Sequence, residues 1–282
     1  MSEAICRARL VQMAPRLGAV ADNLRRHLEA AQQAAAEGVD LLVFPELSLT
    51  GYFLRDLVPE VALTLDSDPL RELLDASREV PLVVGFVEES PGFDLYCTAA
   101  YLAGGEIRHL HRKAYLPTYG MFDEGRYFSP GNELAVFPTP WGSAGLLICE
   151  ELWHPSAAYT LSRLGLDLLI SIAASPLRGV GPGGLAIERT YHHLLSTYAE
   201  LFQCQVLFCN RVGCEEGVTF WGGSRAFSPA AGELATAPLF DETHLDVTLQ
   251  RSHLRRARLA TPLLADERPE LVLRALEKMA RE

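Results

Sequence analysis

The sequence predicts an α/β layered fold built on a mixed sheet. Short apolar runs that read as buried strands alternate with segments of helical periodicity, and some of the strands are hairpin neighbours joined by glycine turns. Residues 8–12 alternate as a strand, and 21–37 carry a helical pattern with Asp22 or Asn23 near the start and Gly38 just past the end. Residues 40–44 form a short apolar strand closed by Pro45. A helix over 69–79 and a buried strand over 81–88 follow, then two strands, 96–102 and 106–112, around Gly104-Gly105. After a Pro- and Gly-rich stretch at 117–142, the pattern reads strand 144–149, helix 156–164, strand 167–173, helix 185–202 and strand 205–210. Strands at 224–228 and 245–249 precede a charged helix over about 267–281, and Arg255, Arg256 and Arg258 read as the exposed face of a late helix. No linker, repeat or low-complexity tract interrupts the chain, so residues 1–282 are expected to form a single domain.

The bulk numbers narrow the function. With 282 residues, 49% of them hydrophobic, the chain can bury a sizeable core. Lys plus Arg number 25 against 36 Asp plus Glu, a net charge of −11 that argues against nucleic-acid binding. No apolar run reaches membrane-spanning length and the amino terminus lacks a secretory pattern, so a soluble cytoplasmic protein with no membrane partner is expected. The cysteines at 6, 97, 149, 204, 209 and 214 are scattered and form no disulfide framework or zinc-type spacing.

Chemistry-bearing residues recur at strand ends. Glu46 follows the strand at 40–44, His111-Arg112-Lys113 ends the strand at 106–112, and Cys149 ends the run Gly145-Leu-Leu-Ile-Cys149. A further carboxylate, Glu124, lies in the aromatic stretch between Tyr119 and Phe128. A thiol, a lysine and carboxylates at one rim suffice for acyl transfer: the thiolate attacks a carbonyl, a carboxylate shuttles protons and a cation stabilises the oxyanion. A backbone N–H at the start of the next helix would be a second oxyanion donor and would lower the thiol pKa. Taken singly, each residue has a plainer reading: Cys149 as a buried structural cysteine, Glu46 as a helix-terminal carboxylate, Lys113 as a solvated strand end.

The words around these residues resemble the nitrilase superfamily of carbon–nitrogen hydrolases, and within it the glutaminase domain of glutamine-dependent NAD synthetases. The resemblance rests on Phe44-Pro-Glu46-Leu-Ser-Leu-Thr-Gly-Tyr52, on Arg112-Lys113-Ala-Tyr-Leu-Pro117 through Phe122-Asp-Glu124-Gly-Arg-Tyr-Phe128, and on Ile148-Cys149-Glu-Glu-Leu-Trp153. Asn210-Arg-Val-Gly213 and Gly222-Gly223-Ser224 also fit. It implies a four-layer αββα sandwich with mixed sheets, expected to assemble as a homodimer or higher homo-oligomer. It implies Cys149 as nucleophile, Glu46 as general base, Lys113 as stabiliser of the tetrahedral intermediate, and Glu124 as the carboxylate that positions Lys113 or the substrate. No metal or other cofactor is expected.

This chain departs from the glutaminase pattern at two points. Glu151 stands where Asp is usual, and Ile172-Ala-Ala-Ser175-Pro176 carries Ala174 where a polar side chain is usual. No Ser-Gly-Gly-x-Asp-Ser phosphate-binding word occurs, so the chain is not expected to make NAD alone. Tyr119, Phe122 and Trp153 read equally as acyl-pocket walls or aromatic core. Ser175 and Arg178 are candidates for holding a substrate carboxylate, with an exposed-loop reading beside it for Arg178.

Two motifs look like decoys. The glycine-rich stretch 179–184 formally satisfies G-x-G-x-x-G, but Pro182 interrupts it, and it reads as a loop beside the pocket. Gly222-Gly-Ser224 approaches a serine-hydrolase elbow but lacks its last glycine. His192-His193 reads as surface or interface. The expected activity is hydrolysis of a small linear carboxamide, a glutamine-like ω-amide or an aliphatic amide, through a thioester with release of ammonia. The alternatives are a detached glutaminase subunit feeding a separate NAD synthetase partner, a catalytically silent binding protein on the same fold, or a serine hydrolase centred on Ser224.

Overall fold

The computed structural model describes residues 5–182 and 184–281. Its strands are β1 (Ile5–Gln12), β2 (Leu41–Val43), β3 (Leu82–Glu89), β4 (Leu95–Ala103), β5 (Glu106–Arg112), β6 (Val136–Thr139), β7 (Gly142–Ile148), β8 (Leu168–Ala173), β9 (Val180–Gly181), β10 (Gly184–Leu185), β11 (Gln205–Asn210), β12 (Val212–Glu215), β13 (Val218–Trp221), β14 (Arg225–Ser228), β15 (Gly232–Thr236) and β16 (Thr243–Gln250). The helices are α1 (Val20–Ala36), α2 (Val58–Val61), α3 (Asp68–Ala76), α4 (Glu124–Tyr127), α5 (Pro155–Arg163), α6 (Ala186–Leu201), α7 (Arg251–Ala260), α8 (Leu263–Asp266) and α9 (Pro269–Met279).

Two six-stranded sheets carry the architecture, in the orders β16-β1-β2-β3-β4-β5 and β15-β14-β11-β8-β7-β6. Each is mixed. β1, β2 and β3 run parallel in one sheet, β7, β8 and β11 in the other, and antiparallel strands flank both trios. The alternation along the central strands explains the layering. Leu41 and Val43 of β2, Val83 and Val87 of β3, and Cys97 and Ala99 of β4 join Leu146, Ile148, Ile170 and Ile172 in one buried cluster between the sheets. The opposite side chains, Leu42, Phe44, Leu82, Val84 and Phe86, pack with Leu24, Ala31, Leu70 and Leu73 of α1 and α3. Ala157 and Leu161 of α5 and Tyr191 and Leu195 of α6 cover the second sheet. Strands buried on both faces read as continuous apolar runs, as the sequence of β2, β7 and β8 does. The arrangement is the expected αββα sandwich.

α1 ends as its sequence requires: Gly38 takes the left-handed conformation (φ 70) and Val39 N–H returns to the Ala34 carbonyl at 2.9 Å. Strands β6, β12, β13 and β15 have no counterpart in the sequence reading. β6 is a four-residue strand at the sheet edge with Pro138 inside it, a place where a missing N–H is tolerated and where periodicity is too short to register. Arg258 is corrected as well. Arg255 and Arg256 are exposed, but half-buried Arg258 of α7 binds Asp167 at 2.7 Å and the carbonyls of Leu166 and Gln203, clamping α7 to the second sheet. α9 leaves Leu271, Leu273, Leu276 and Met279 exposed. Among the described residues no helix is long and apolar enough to cross a membrane.

Candidate active site

The carboxyl ends of β2, β5 and β7 deliver Glu46, Lys113 and Cys149 to one place, and Glu124 joins them from the start of α4. Glu46 lies in the turn after β2. That turn passes so close over β3 that a Cβ on Gly85 would come within 2.6 Å of the Pro45 carbonyl oxygen and the Leu47 nitrogen. Glycine at 85 makes room for the Glu46 turn. Lys113 follows β5, and its backbone is held by a bond to the Cys97 carbonyl at 2.9 Å and one from Gly131 at 2.8 Å. Cys149 opens a one-turn 3-10 helix (Cys149–Trp153) directly after β7, with φ 48. A non-glycine residue in that region holds about 1–3 kcal/mol of backbone strain, which the surrounding contacts must offset.

Lys113 Nζ donates to Glu46 Oε1 at 2.6 Å and to Glu124 Oε1 at 2.8 Å, and all three side chains are buried. Tyr52 Oη also donates to Glu124 Oε1. Glu46 Oε2 accepts the Ala174 N–H at 2.7 Å, and the Cys97 thiol lies 3.7 Å from Glu46 Oε1. Cys149 is 8% exposed, its Sγ 3.6 Å from the hydroxyl of Tyr191, which also accepts the indole N–H of Trp153 at 3.3 Å.

Electrostatics follow from this packing. Burial raises the Glu124 carboxyl to about 7, although the neighbouring Lys113 cation opposes the rise. Burial acts to lower Lys113, but Glu124 and Glu46 outweigh it and keep the ammonium charged well past its ordinary range. The Cys149 thiol is pushed up, by burial first and then by the Glu46 charge, with Lys113 only partly compensating. The expectation that a following helix lowers this thiol is therefore corrected. The turn after Cys149 is five residues long, and desolvation beside a carboxylate dominates.

The substrate-side candidates gather around the same centre. Tyr119 is 48% exposed at the rim and donates its hydroxyl to Glu150 Oε2 at 2.8 Å. Phe122 is buried between Tyr52 and Tyr119, both edge-on to it, with the Arg178 guanidinium 5.3 Å over its ring. Arg178 is half-buried rather than an exposed loop residue, and its Nε has no hydrogen-bond partner. A cavity of about 160 Å³ lined by Tyr52, Phe53, Met121, Phe122, Glu124 and Tyr127 opens beside this cluster. Ser175 is buried, its hydroxyl accepting the Trp221 indole N–H at 3.1 Å and its N–H donating to Asn210 Oδ1.

Sequence reasoning missed Tyr52, Glu150 and Tyr191 as parts of this centre. Tyr191 sits on the buried stripe of α6 with Ile187, Leu195 and Tyr198, so periodicity reads it as core. Glu150 carried a signal, an acid directly after the candidate nucleophile. Ser224 is turned elsewhere: it is buried and its hydroxyl exchanges hydrogen bonds with the Asn210 backbone at 3.0 and 3.2 Å, which leaves no free nucleophile. The glycine-rich stretch forms the small β9–β10 hairpin leading into α6; Gly183 lies outside the described residues. His192 is half-buried and 3.4 Å from Arg225, and His193 is exposed.

The family model for carbon-nitrogen hydrolases matches residues 7–259. This chain belongs to the carbon-nitrogen hydrolase family. It is a hydrolase acting on carbon–nitrogen bonds other than peptide bonds. This carbon-nitrogen hydrolase is 34% identical over 262 residues to the glutamine-dependent NAD(+) synthetase of Thermotoga maritima, covering 91% of this chain and 44% of that protein. It is 32% identical over 262 residues to an (R)-stereoselective amidase from a Pseudomonas species, covering 92% of this chain and 90% of the amidase. A carbon-nitrogen hydrolase structure from Helicobacter pylori superposes with a TM-score of 0.87 at 21% identity, over 97% of this chain and 99% of that one, and confirms the fold. The chain spans less than half the length of the synthetase relatives it matches.

Proposed function

We propose that this hydrolase cleaves a small linear carboxamide through a cysteine thioester, and that residues 1–282 work as one catalytic domain. The observation that carries the reading is the buried Glu46–Lys113–Glu124 array beside Cys149, a base, a fixed cation and a thiol at one rim. Glu46 takes the Sγ proton as Cys149 attacks the amide carbonyl, so the raised resting pKa of the thiol is no obstacle to attack. The Lys113 ammonium, held between two carboxylates, stabilises the developing oxyanion. Glu46 returns the proton to the leaving nitrogen, ammonia departs and a thioester remains. Water deprotonated by Glu46 attacks the thioester, and the acid and free thiol are released. Glu124 positions Lys113. No metal enters this chemistry.

At the entrance, Glu150 accepts the Tyr119 hydroxyl and the Arg178 guanidinium lies over Phe122, so a carboxylate and a guanidinium stand beside Tyr119 and Phe122. Such a pair suits the ammonium and carboxylate of an α-amino acid, which makes a glutamine-like ω-amide the leading substrate and simple aliphatic amides second. Ser175, buried and bonded to Trp221 and Asn210, supports the pocket wall. The test is ammonia release across ω-amides and aliphatic amides, with Cys149→Ala as the control. Cys149→Ala should lose at least about a thousandfold in rate, and unchanged release would end the proposal.

The 34% identity to a synthetase supports a second reading, in which the ammonia is delivered to a separate NAD synthetase chain. That version shows weak activity alone and stimulation by the partner. The exposed leucines of α9 favour assembly with a second copy of the chain, which light scattering would read directly.

A further inference from the structure

Glu151 is fully buried, and each of its carboxylate oxygens is engaged. Oε2 accepts the backbone N–H of Ile148, the residue before Cys149, at 2.6 Å. The same oxygen lies 2.6 Å from His111 Nε2, and since a carboxylate only accepts, the imidazole must donate. Oε1 accepts the backbone N–H of Ala114, the residue after Lys113, at 2.7 Å. One side chain thus binds the residue preceding the nucleophile and groups on both sides of the lysine.

We infer that Glu151 is a positioning residue: together with His111 it fixes the Cys149 turn of one sheet against the Lys113 segment of the other. The inference rests on the reading of Cys149 and Lys113 given above. Two details support it. Cys149 sits at φ 48, and the bond from Ile148 N–H to Glu151 closes the tight turn that holds it there. The segment carrying Lys113 is held the same way, because the N–H of Ala114 and the His111 ring, one on each side of the lysine, are bound to this one carboxylate.

A group that acts by alignment changes kcat rather than substrate affinity. Glu151→Gln keeps the shape but replaces one acceptor oxygen with a donor, so it must lose either the Ala114 or the Ile148 N–H bond, because a backbone N–H can only donate. Steady-state ammonia release on the best amide, together with the rate of Cys149 alkylation by iodoacetamide, reads the effect. Glu151→Gln is expected to lower kcat about 10–100-fold with KM within about threefold, and His111→Gln about three- to tenfold with the same split. The alkylation rate should fall in both while the melting transition stays cooperative. If Glu151→Gln does not fold, His111→Gln decides alone. A folded variant with kcat within twofold of wild type, or one whose loss lies in KM, overturns the inference. Cys149→Ala run in parallel separates the two ideas: if it still releases ammonia the catalytic reading fails, whereas an inert Cys149→Ala beside an unimpaired Glu151→Gln sinks only the role of Glu151.

Discussion

Glu46, carried by the first sheet, accepts the backbone N–H of Ala174 from the second sheet at 2.7 Å. The bond spans the seam of the sandwich and aims the other carboxylate oxygen at Lys113. It also explains why alanine is tolerated at 174, since position 174 contributes its N–H to Glu46. The Glu46 charge is one of the causes that hold the Cys149 thiol up. Glu46→Gln should therefore have opposite effects on two measurements. Amide turnover falls about 10²–10⁴-fold with the base removed, while iodoacetamide alkylation of Cys149 at pH 8–9 becomes faster because more thiolate is present. Slower alkylation in the variant would contradict this electrostatic account.

Glu124 gives the protein a pH signature. Its carboxyl titrates at about 7 in the folded chain against an ordinary 4.5, with burial the main cause. Below 4.5 both folded and unfolded chains hold the proton. Between 4.5 and 7 only the folded chain holds it, so this contribution to stability falls as pH rises, by on the order of a few kcal/mol, and is flat above 7. Urea titrations at several pH values should show that the stability difference between wild type and Glu124→Gln changes across this window. A constant difference would mean that Glu124 is ionised throughout.

Arg178 and Glu150 should control which amide is accepted. Arg178→Ala is expected to raise KM for glutamine about 10–100-fold, the loss of a charge-assisted bond, and to leave an aliphatic amide nearly unaffected. Glu150→Gln should discriminate in the same sense through the α-ammonium. Equal effects on both substrates would assign these residues to the scaffold instead.

Gly85 couples stability to catalysis. A methyl group at 85 must displace the Pro45–Leu47 turn, since it would lie 2.6 Å from backbone atoms there. Gly85→Ala should cost about 1–3 kcal/mol in thermal or urea unfolding and lower kcat as Glu46 moves. A variant with unchanged turnover would show that the turn can slide without disturbing the base.

The sequence by itself determined the alternation of strands and helices, the strand ends at which Glu46, Lys113 and Cys149 stand, and the chemistry those residue types permit. Each of these is a local property: apolar runs such as 144–148 and 168–173 announce buried strands, and the motif words fix the order of the site. Only the tertiary structure decided that Glu46 and Lys113 meet at 2.6 Å across 67 positions of sequence, and that a half-buried Arg178 stands over Phe122. It also decided that Tyr191, a core position by periodicity, turns its hydroxyl to Cys149. Burial and pairing set charge states here, and they depend on which segments pack together. The thiol illustrates the difference: the helix start expected after it suggested a lowered pKa, and the burial and the Glu46 carboxylate around it raise it instead.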